Sequence, residues 1–136
     1  MRKVIALAVL VCCLTVLVNC AKTVTFPVSV VVPAAQAKAK VGLDKNGNAL
    51  VELTVNHLAP PQNLNPPRSV YVVWIHTPDN RVINLGQLRV GGKLKGAIRG
   101  ITPFKEFRLV VTAEDDPMAA YPGQQTVLST GALRAK

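Results

Sequence analysis

Beyond residue 37 of this 136-residue chain, apolar side chains recur with a period of two residues. No window after the N-terminal segment places apolar residues at helical spacing over three turns, whereas alternating runs recur between clusters of Gly, Pro and Asn. About seven or eight such runs, with a turn roughly every eight to twelve residues, are typical of a sandwich. We therefore expect an all-β, immunoglobulin-like antiparallel β-sandwich over residues 38–136, without an internal repeat or a second domain.

The clearest pair of runs predicts a hairpin. Residues 38–43 alternate between apolar and polar or small side chains, and the following DKNGN supplies the positive-φ residues that a tight turn needs. Residues 49–56 alternate in the same way, which indicates one buried and one solvated face. Four prolines in LAPPQNLNPP, residues 58–67, then favour an extended crossover between sheets, either as scaffold or as a rigid binding ridge. Pro60 and Pro61 are expected to be structural.

Residues 70–75, VYVVWI, are apolar at every position. For a short run between turns, this pattern predicts a central strand that is covered on both faces. Trp74, the only tryptophan, and Tyr71 are therefore expected to be structural, with Trp74 filling the core of the sandwich. The next run, residues 82–90, changes its apolar parity at Gly86, as a β-bulge would require.

The run GGKLKGAIRG, residues 91–100, sets Lys93, Lys95 and Arg99 against apolar residues. This alternation predicts three cations on one exposed strand face. Lysine on an edge strand discourages edge-to-edge pairing, and this structural role is the simpler interpretation. The alternative is a basic binding face for an anionic ligand.

The N-terminal segment resembles a targeting signal rather than part of the fold. Arg2 and Lys3 precede an apolar run, residues 4–18, which has the length of a signal-peptide core and is short for a membrane-spanning helix. This pattern predicts export. The sequence LVNCAK, residues 17–22, resembles a bacterial lipobox, in which a signal peptidase cuts before a cysteine that then carries lipid. Cys20 would be that lipid-attachment residue.

Asn19 stands where a lipobox prefers Gly, Ala or Ser, so two alternatives stay open. One is ordinary cleavage after AQA, residues 35–37, and the other is an uncleaved anchor helix over residues 1–20. Residues 21–37 would then be a tether or an irregular first strand. All three interpretations place the domain outside the cytosol, on the extracytoplasmic face of a bacterial cell envelope.

Cysteine content and net charge limit the kinds of chemistry that the domain can perform. The three cysteines all lie at or before residue 20, so the expected folded region has no thiol, which excludes disulfides, thiolate catalysis and cysteine zinc sites there. The formal charge is +9, and removing Arg2 and Lys3 with the leader leaves nine minus two, or +7. Outside the cytosol, this charge suits an anionic lipid or glycan surface, or solubility alone.

The sequence gives little support for catalysis. His57 and His76 are the only histidines, and neither a Gly-x-Ser-x-Gly elbow nor a phosphate-binding glycine motif is present. The acidic cluster AEDDP, residues 113–117, lacks the spacing of a calcium loop. Aromatic residues make up 4% of the chain, too few to stack bases among the cations. We therefore expect no enzyme activity, metal, cofactor or nucleic-acid partner.

Five short motifs occur in order within residues 38–133. They are Leu58 with Pro60 and Pro61, Tyr71 with Trp74, Leu85 with Gly86, Val111 with Thr112 and Glu114, and Pro122 with Gly123. This order resembles the extracytoplasmic C-terminal domain of the anti-sigma-K factor family (RskA type). That domain shows a leucine-proline turn, a Tyr-x-x-Trp strand, a Leu-Gly step, a Val-Thr-x-Glu strand and a late Pro-x-Gly.

The resemblance implies a stand-alone copy of the family's outer module, which has a sensing or stabilising role and no chemistry of its own. The family's cytosolic zinc-type domain, marked by His-x-x-x-Cys-x-x-Cys, has no counterpart in this sequence, so no functional residue is carried over. The expected function is a membrane-tethered binding module that senses for, or modulates, an anti-sigma factor pathway through a protein partner in the envelope. The alternative is an envelope protein that binds anionic lipid or glycan through Lys93, Lys95 and Arg99.

Overall fold

The structure, a computed structural model, describes residues 21–136. This part of the chain is all-β, as the alternation predicts, and its regular elements are nine strands and one short 3-10 helix. The strands are β1 (Lys22–Thr25), β2 (Gln36–Leu43), β3 (Ala49–Asn56), β4 (Val70–His76), β5 (Val82–Val90), β6 (Gly96–Thr102), β7 (Glu106–Glu114), β8 (Thr126–Ser129) and β9 (Leu133–Arg134), and the 3-10 helix is Pro61–Asn63.

The strands form a curled antiparallel sheet that folds into two layers. Its hydrogen-bonded order is β1-β2-β3-β6-β5-β4-β7-β8, and β9 pairs with the start of β7. Strand β5 belongs to both layers, because its C-terminal end pairs with β6 while the rest pairs with β4. We call the layer of β1, β2, β3 and β6 sheet A, and the layer of β4, β7 and β8 sheet B. This arrangement confirms the predicted immunoglobulin-like sandwich.

The main core lies between the two sheets. Alternate residues of each strand point inward, so that apolar side chains of both sheets meet and leave water, which is the dominant favourable contribution to folding. The fully buried members from sheet A include Ala39, Val41, Val51, Leu53 and Val55, and those from sheet B include Tyr71, Val73, Ile75, Leu109 and Val111.

The turn between β2 and β3 confirms the predicted hairpin. One carboxylate oxygen of Asp44 accepts hydrogen bonds of 2.8 Å from the backbone N–H groups of Asn46 and Asn48. Gly47 has a φ of 78°, a conformation that glycine adopts without steric cost. DKNGN thus closes the chain on itself through local side-chain and backbone hydrogen bonds.

Residues 21–37, which the sequence left as a tether or an irregular first strand, are part of the fold. Strand β1 pairs with β2 along its full length, and Phe26 and Val32 are buried in the main core. Strand β2 itself begins at Gln36. The domain therefore starts before residue 38, the boundary that the alternation predicted, because an edge strand and its irregular continuation carry too weak an alternation to be recognised.

The predicted leader over residues 1–20, and with it Cys20, lies outside the described residues. From residue 21 to residue 136, no helix has the length and apolar character that a membrane crossing needs. Both sheets and the buried residues named above lie between residues 22 and 135.

The two ends of the sandwich carry different segments. At the end where β1 begins, which we call the proximal end, lie the turns of residues 44–48, 77–81 and 103–105 together with β9. At the opposite, distal end lie the proline-rich connection of residues 57–69, the turn of residues 91–95 and the loop of residues 115–125.

Candidate functional site

The predicted basic strand face does not form. Lys93 and Lys95 lie in the turn between β5 and β6, where Leu94 has a φ of 56°. Arg99 lies on β6, with its Nε 3.5 Å from Oε1 of Glu52 on the neighbouring strand. Strand β6 is not an edge strand either, since it pairs with β3 along its whole length and with β5 at its N-terminal end.

A tight turn explains why Lys93 and Lys95 do not lie on a strand. The N–H of Gly91 donates to the carbonyl of Lys95 at 2.8 Å, and the N–H of Leu94 donates back to the carbonyl of Gly91 at 3.0 Å. The strand therefore starts at Gly96, and the apolar-polar alternation before that residue belongs to a turn. Alternation alone does not distinguish a strand from a turn of this kind, because the pattern records side-chain type and not backbone conformation.

Cations collect instead on the outer face of sheet A. Cross-strand pairing puts Lys38, Thr54, Ala97 and Arg89 in one row of side chains. The adjacent row contains Lys40, Glu52 and Arg99. We call the surface of Lys38, Lys40, Arg89 and Arg99 the sheet A face. Its four cations are exposed, and Glu52 is the one acidic side chain in these two rows.

Trp74 is fully buried, but not between the sheets where the sequence predicted it. Side chains alternate along β4, so Tyr71 and Ile75 face the main core while Trp74 faces the other side of sheet B. There it forms a second cluster with Val72 and Val110. In a run that is apolar at every position, the sequence does not reveal which alternate residues face the main core. For this reason the predicted position of Trp74 between the sheets was wrong.

The loop of residues 115–125 covers this second cluster. Ala119 packs against it. On β5, the side-chain amide of Asn84 donates hydrogen bonds to the carbonyls of Pro117 and Ala119, at 3.0 and 3.1 Å. Asn84 lies directly opposite Trp74 in the strand pairing, so these two bonds hold the loop over the indole.

Below the loop runs a chain of buried hydrogen bonds. The indole N–H of Trp74 donates to Oγ1 of Thr112 at 2.7 Å, and the Thr112 hydroxyl donates to Oε1 of Glu114 at 2.5 Å. The same carboxylate oxygen accepts the backbone N–H of Gly123 at 2.7 Å. A buried carboxylate needs such donors, because it is costly to leave one without partners.

The acidic cluster that begins with Glu114 does not converge on a cation. Asp115 forms an ion pair of 2.8 Å with Arg68, while Asp116 accepts the backbone N–H of Met118 at 2.8 Å. The three carboxylates thus have three different sets of partners. Among residues 21–136, no group of three or more His, Cys, Asp or Glu side chains is placed to hold a metal ion.

Tyr71 joins strand β4 to the proline-rich connection. Its hydroxyl donates a 2.7 Å hydrogen bond to the carbonyl of Ala59, and burial raises the pKa of Tyr71 to about 12. The next two residues of the connection are Pro60, which precedes the 3-10 helix, and Pro61, which begins it and is buried. The prolines and the tyrosine therefore have architectural positions.

The predicted bulge is present at Gly86. Val73 pairs with Gly86, whereas the next residue, Trp74, pairs with Asn84, so Leu85 is the extra residue on β5. Gly86 has a φ of 141°, which only glycine adopts readily. The bulge lies near the point where β5 passes from one sheet to the other.

A basic cleft of about 720 Å³ opens at the proximal end. We call it the proximal cleft. Five cationic side chains line it, from β1, the β4–β5 turn, β7, β9 and the last described residue, and Glu106 is the one acidic side chain among its described lining residues. The cations are Lys22, Arg81, Arg108, Arg134 and Lys136, and the apolar lining includes Pro78, Val82, Phe107 and Leu133.

Two of these cations already have partners. Arg81 is paired with Asp79 at 2.6 Å, and its guanidinium carbon lies 4.4 Å from the centre of the Phe104 ring. Arg134 lies 3.4 Å from Glu106. The remaining three, Lys22, Arg108 and Lys136, form no ion pair with any residue in the described range.

His76 also lines the proximal cleft. Its neighbours across the strands are Arg108 on β7 and Val82 on β5. Burial lowers the pKa of His76, and the positive charge of Arg108 lowers it further. Within the described structure, its Nε2 is buried and has no hydrogen-bond partner. His57 lies at the distal end, exposed and with a φ of 54°, so the two histidines do not share a site.

The cleft could not be found from the sequence, because its cations come from separate segments in which each is an ordinary surface residue. A second groove, of about 770 Å³, lies at the distal end. Arg68 is the only charged side chain among its described lining residues, and it is already paired with Asp115. The proximal cleft is therefore the better candidate for a charged ligand.

No model of a known protein family, no curated protein and no solved structure matches this chain. The resemblance to the RskA-type outer domain therefore rests on its sequence motifs. The motif residues that the structure describes have architectural positions, such as Gly86 in the bulge and Glu114 on the N–H of Gly123.

Proposed function

We propose that this chain is a non-enzymatic β-sandwich module, held by its N-terminus at the extracytoplasmic face of a bacterial membrane, where it binds a partner. The observation that carries the proposal is the start of β1 at Lys22. Only Ala21 separates this strand from Cys20, the candidate lipid-attachment residue. Cleavage before Cys20 would therefore leave the whole described sandwich intact and join it to the membrane without a linker.

Ordinary cleavage after Ala37 fits the fold less well. It would remove β1 together with the buried Phe26 and Val32, and it would cut β2 near its start. The buried Ser29, whose hydroxyl bonds to a carbonyl of β8, would also be lost. The new edge of sheet A would then expose unpaired backbone groups, which proteins avoid because such edges aggregate.

Membrane fractionation of cells that express a Cys20→Ser variant tests the anchor. We expect the wild-type chain in the membrane fraction with lipid attached, and the variant either released or retained only as uncleaved precursor without lipid. Cys13→Ser is the matched control, since Cys13 lies inside the apolar run of the leader, and it should leave both localisation and lipidation unchanged. A wild-type chain that stays in the membrane without lipid would point to the uncleaved anchor instead.

The resemblance to the RskA-type outer module favours a membrane-spanning anti-sigma protein as the partner. Crosslinking in intact cells, with wild type compared with Cys20→Ser, tests this part of the proposal. Recovery of such a protein with the wild type, and its loss from the fraction of the variant that is released from the membrane, would support a role in sensing or modulation. Recovery of no protein would favour a non-protein ligand.

A second candidate function is binding of an anionic envelope glycan to the sheet A face. The observation that favours it is the excess of four exposed cations over Glu52 in two adjacent rows of a sheet. Replacing Lys38, Lys40 and Arg89 with Gln should abolish cosedimentation of the protein with phosphate-bearing cell-wall glycan. Unchanged cosedimentation would remove this candidate.

A further inference from the structure

We propose that the proximal cleft binds the anionic headgroup of a membrane phospholipid, with the phosphate diester among Lys22, Arg108 and Lys136. The inference rests on the proposed function, because the N-terminal anchor would bring this end of the sandwich to the lipid surface. It adds a ligand class, a site and an orientation of the domain on the membrane.

The charge of the cleft is the first argument. Five cations and one acidic side chain line the cleft, and three of the cations have no carboxylate partner among the described residues. Like charges gathered in one concavity repel one another and attract an anion from solution. The attraction is stronger in a partly enclosed cleft than on an open surface, since less water screens it. A phosphate group is the ligand that this set of donors suits.

The apolar part of the lining is the second argument, and it distinguishes a lipid from free phosphate. Pro78, Val82 and Leu133 line the cleft together with the cations. Its volume of about 720 Å³ far exceeds the space that one phosphate ion fills and lies within the range of sites for small organic ligands. A headgroup that continues into glycerol and the first methylenes of its acyl chains offers both an anion and an apolar surface.

The position of the cleft is the third argument. Lys22, the first residue of β1, lines it. At most roughly 7 Å of extended chain separates the Cα atoms of residues 20 and 22. A lipid on Cys20 would therefore hold the cleft at the level of the headgroups. Tethering of this kind raises the effective concentration of the ligand and so increases occupancy of a cleft that already binds the headgroup.

His76 reports on occupancy of the cleft. Arg108 from β7 and Val82 from β5 flank it, and Arg81 from the following turn lines the same cleft. An anion bound beside Arg108 would offset the charge of that guanidinium, so the pKa of His76 should rise on binding. His57, at the distal end, is the internal reference, because it is the only other histidine and its imidazole is followed in the same NMR experiment.

A vesicle assay tests the site with residues 21–136, which contain every described strand and both core clusters. We expect flotation with vesicles of phosphatidylcholine mixed with phosphatidylglycerol, and none with phosphatidylcholine alone. The triple variant Lys22→Gln, Arg108→Gln, Lys136→Gln should bind roughly a hundredfold more weakly, since each cation near an anionic membrane contributes about a factor of five.

The matched control is the double variant Lys93→Gln, Lys95→Glu in the turn at the distal end, which changes the net charge by the same three units as the triple variant. It acts at equally exposed positions and should weaken binding less than about tenfold. Unfolding in urea, followed by the fluorescence of Trp74, verifies that both variants are folded. Equal losses of binding in the two variants would overturn the proposal, since diffuse attraction to the net charge would then account for the binding.

Two further outcomes would also overturn it. One is a wild-type protein that does not float with anionic vesicles. The other is inorganic phosphate raising the pKa of His76 as much as the vesicles do, which would indicate a site for a free anion. The vesicle assay contains no Cys20, so its failure is distinguishable from failure of the proposed anchor, which the fractionation of Cys20→Ser tests independently.

Discussion

The indole N–H of Trp74 on β4 donates a 2.7 Å hydrogen bond to the hydroxyl of Thr112 on β7, on the side of sheet B that faces away from the main core. Tryptophan is largely apolar but carries one N–H, which needs an acceptor when the ring is fully buried. Thr112 supplies this acceptor, and its own hydroxyl donates a hydrogen bond to the Glu114 carboxylate. The same carboxylate accepts a hydrogen bond from the N–H of Gly123. Two strands and the covering loop are thereby joined through polar contacts.

Thr112→Val tests this connection. Valine has nearly the same shape, but it leaves the indole N–H without an acceptor and removes one of the two hydrogen-bond donors to the Glu114 carboxylate. An unsatisfied buried group costs about 1–3 kcal/mol, so the free energy of unfolding should fall by at least that much. Urea denaturation followed by Trp74 fluorescence measures the effect. Thr54→Val on the exposed face of β3 is the control, and it should change stability by less than about 0.5 kcal/mol. Equal effects at the two sites would contradict the role assigned to Thr112.

Gly86→Ala tests the bulge. A Cβ atom at this position would approach the Cδ1 of Ile98 to 3.0 Å, and the φ of 141° is unfavourable for any residue with a side chain. Backbone strain of this kind costs on the order of 1–3 kcal/mol, which thermal or chemical denaturation detects. Gly92→Ala is the matched control, because a Cβ there meets no atom within 4 Å. A stable Gly86→Ala protein would mean that the bulge shifts along β5 without cost.

The hairpins and the all-β class were predictable because alternation and turn chemistry are local properties of the chain. The side of sheet B on which Trp74 lies was not predictable, because the residues of VYVVWI are apolar on both sides of the strand. The side that faces away from the main core is buried only because the loop of residues 115–125 covers it. Lys93 and Lys95 were placed on a strand because turn and strand share one alternating pattern there. The proximal cleft depends on topology, which brings Lys22 and Lys136 together from opposite ends of the described chain.

The raised pKa of Tyr71 predicts that the free energy of unfolding falls at high pH. Burial raises its pKa from an ordinary value of 10.0 to about 12, so the folded protein holds the phenolic proton more tightly than the unfolded chain does. The resulting stability is fully present below pH 10 and is lost as the pH rises toward 12, by up to roughly 1.4 kcal/mol per pH unit. Urea denaturation at several pH values, with Tyr71→Phe for comparison, measures this slope. The variant should lack this contribution and should lose about 0.5–1.5 kcal/mol at neutral pH with the hydrogen bond to Ala59.

The lowered pKa of His76 predicts that the free energy of unfolding falls as the pH decreases below neutral. Burial and the charge of Arg108 both lower its pKa below the ordinary value of 6.5, so the unfolded chain binds this proton more tightly than the folded protein does. Stability should therefore be highest above pH 6.5 and should fall as the pH decreases through 6.5 toward the pKa of the folded state. Titration of the imidazole protons by NMR locates that value directly, with the signal of His57 as reference.

Arg108→Gln separates the two causes that act on His76. Removing the guanidinium should move the pKa of His76 part of the way back toward 6.5, because burial, the larger cause, remains. Arg99→Gln on the sheet A face removes an equal charge outside the proximal cleft and should leave the His76 titration unchanged. If both variants moved the His76 pKa equally, the net charge of the protein and not the neighbouring guanidinium would control it, and His76 would no longer serve as a reporter of the cleft.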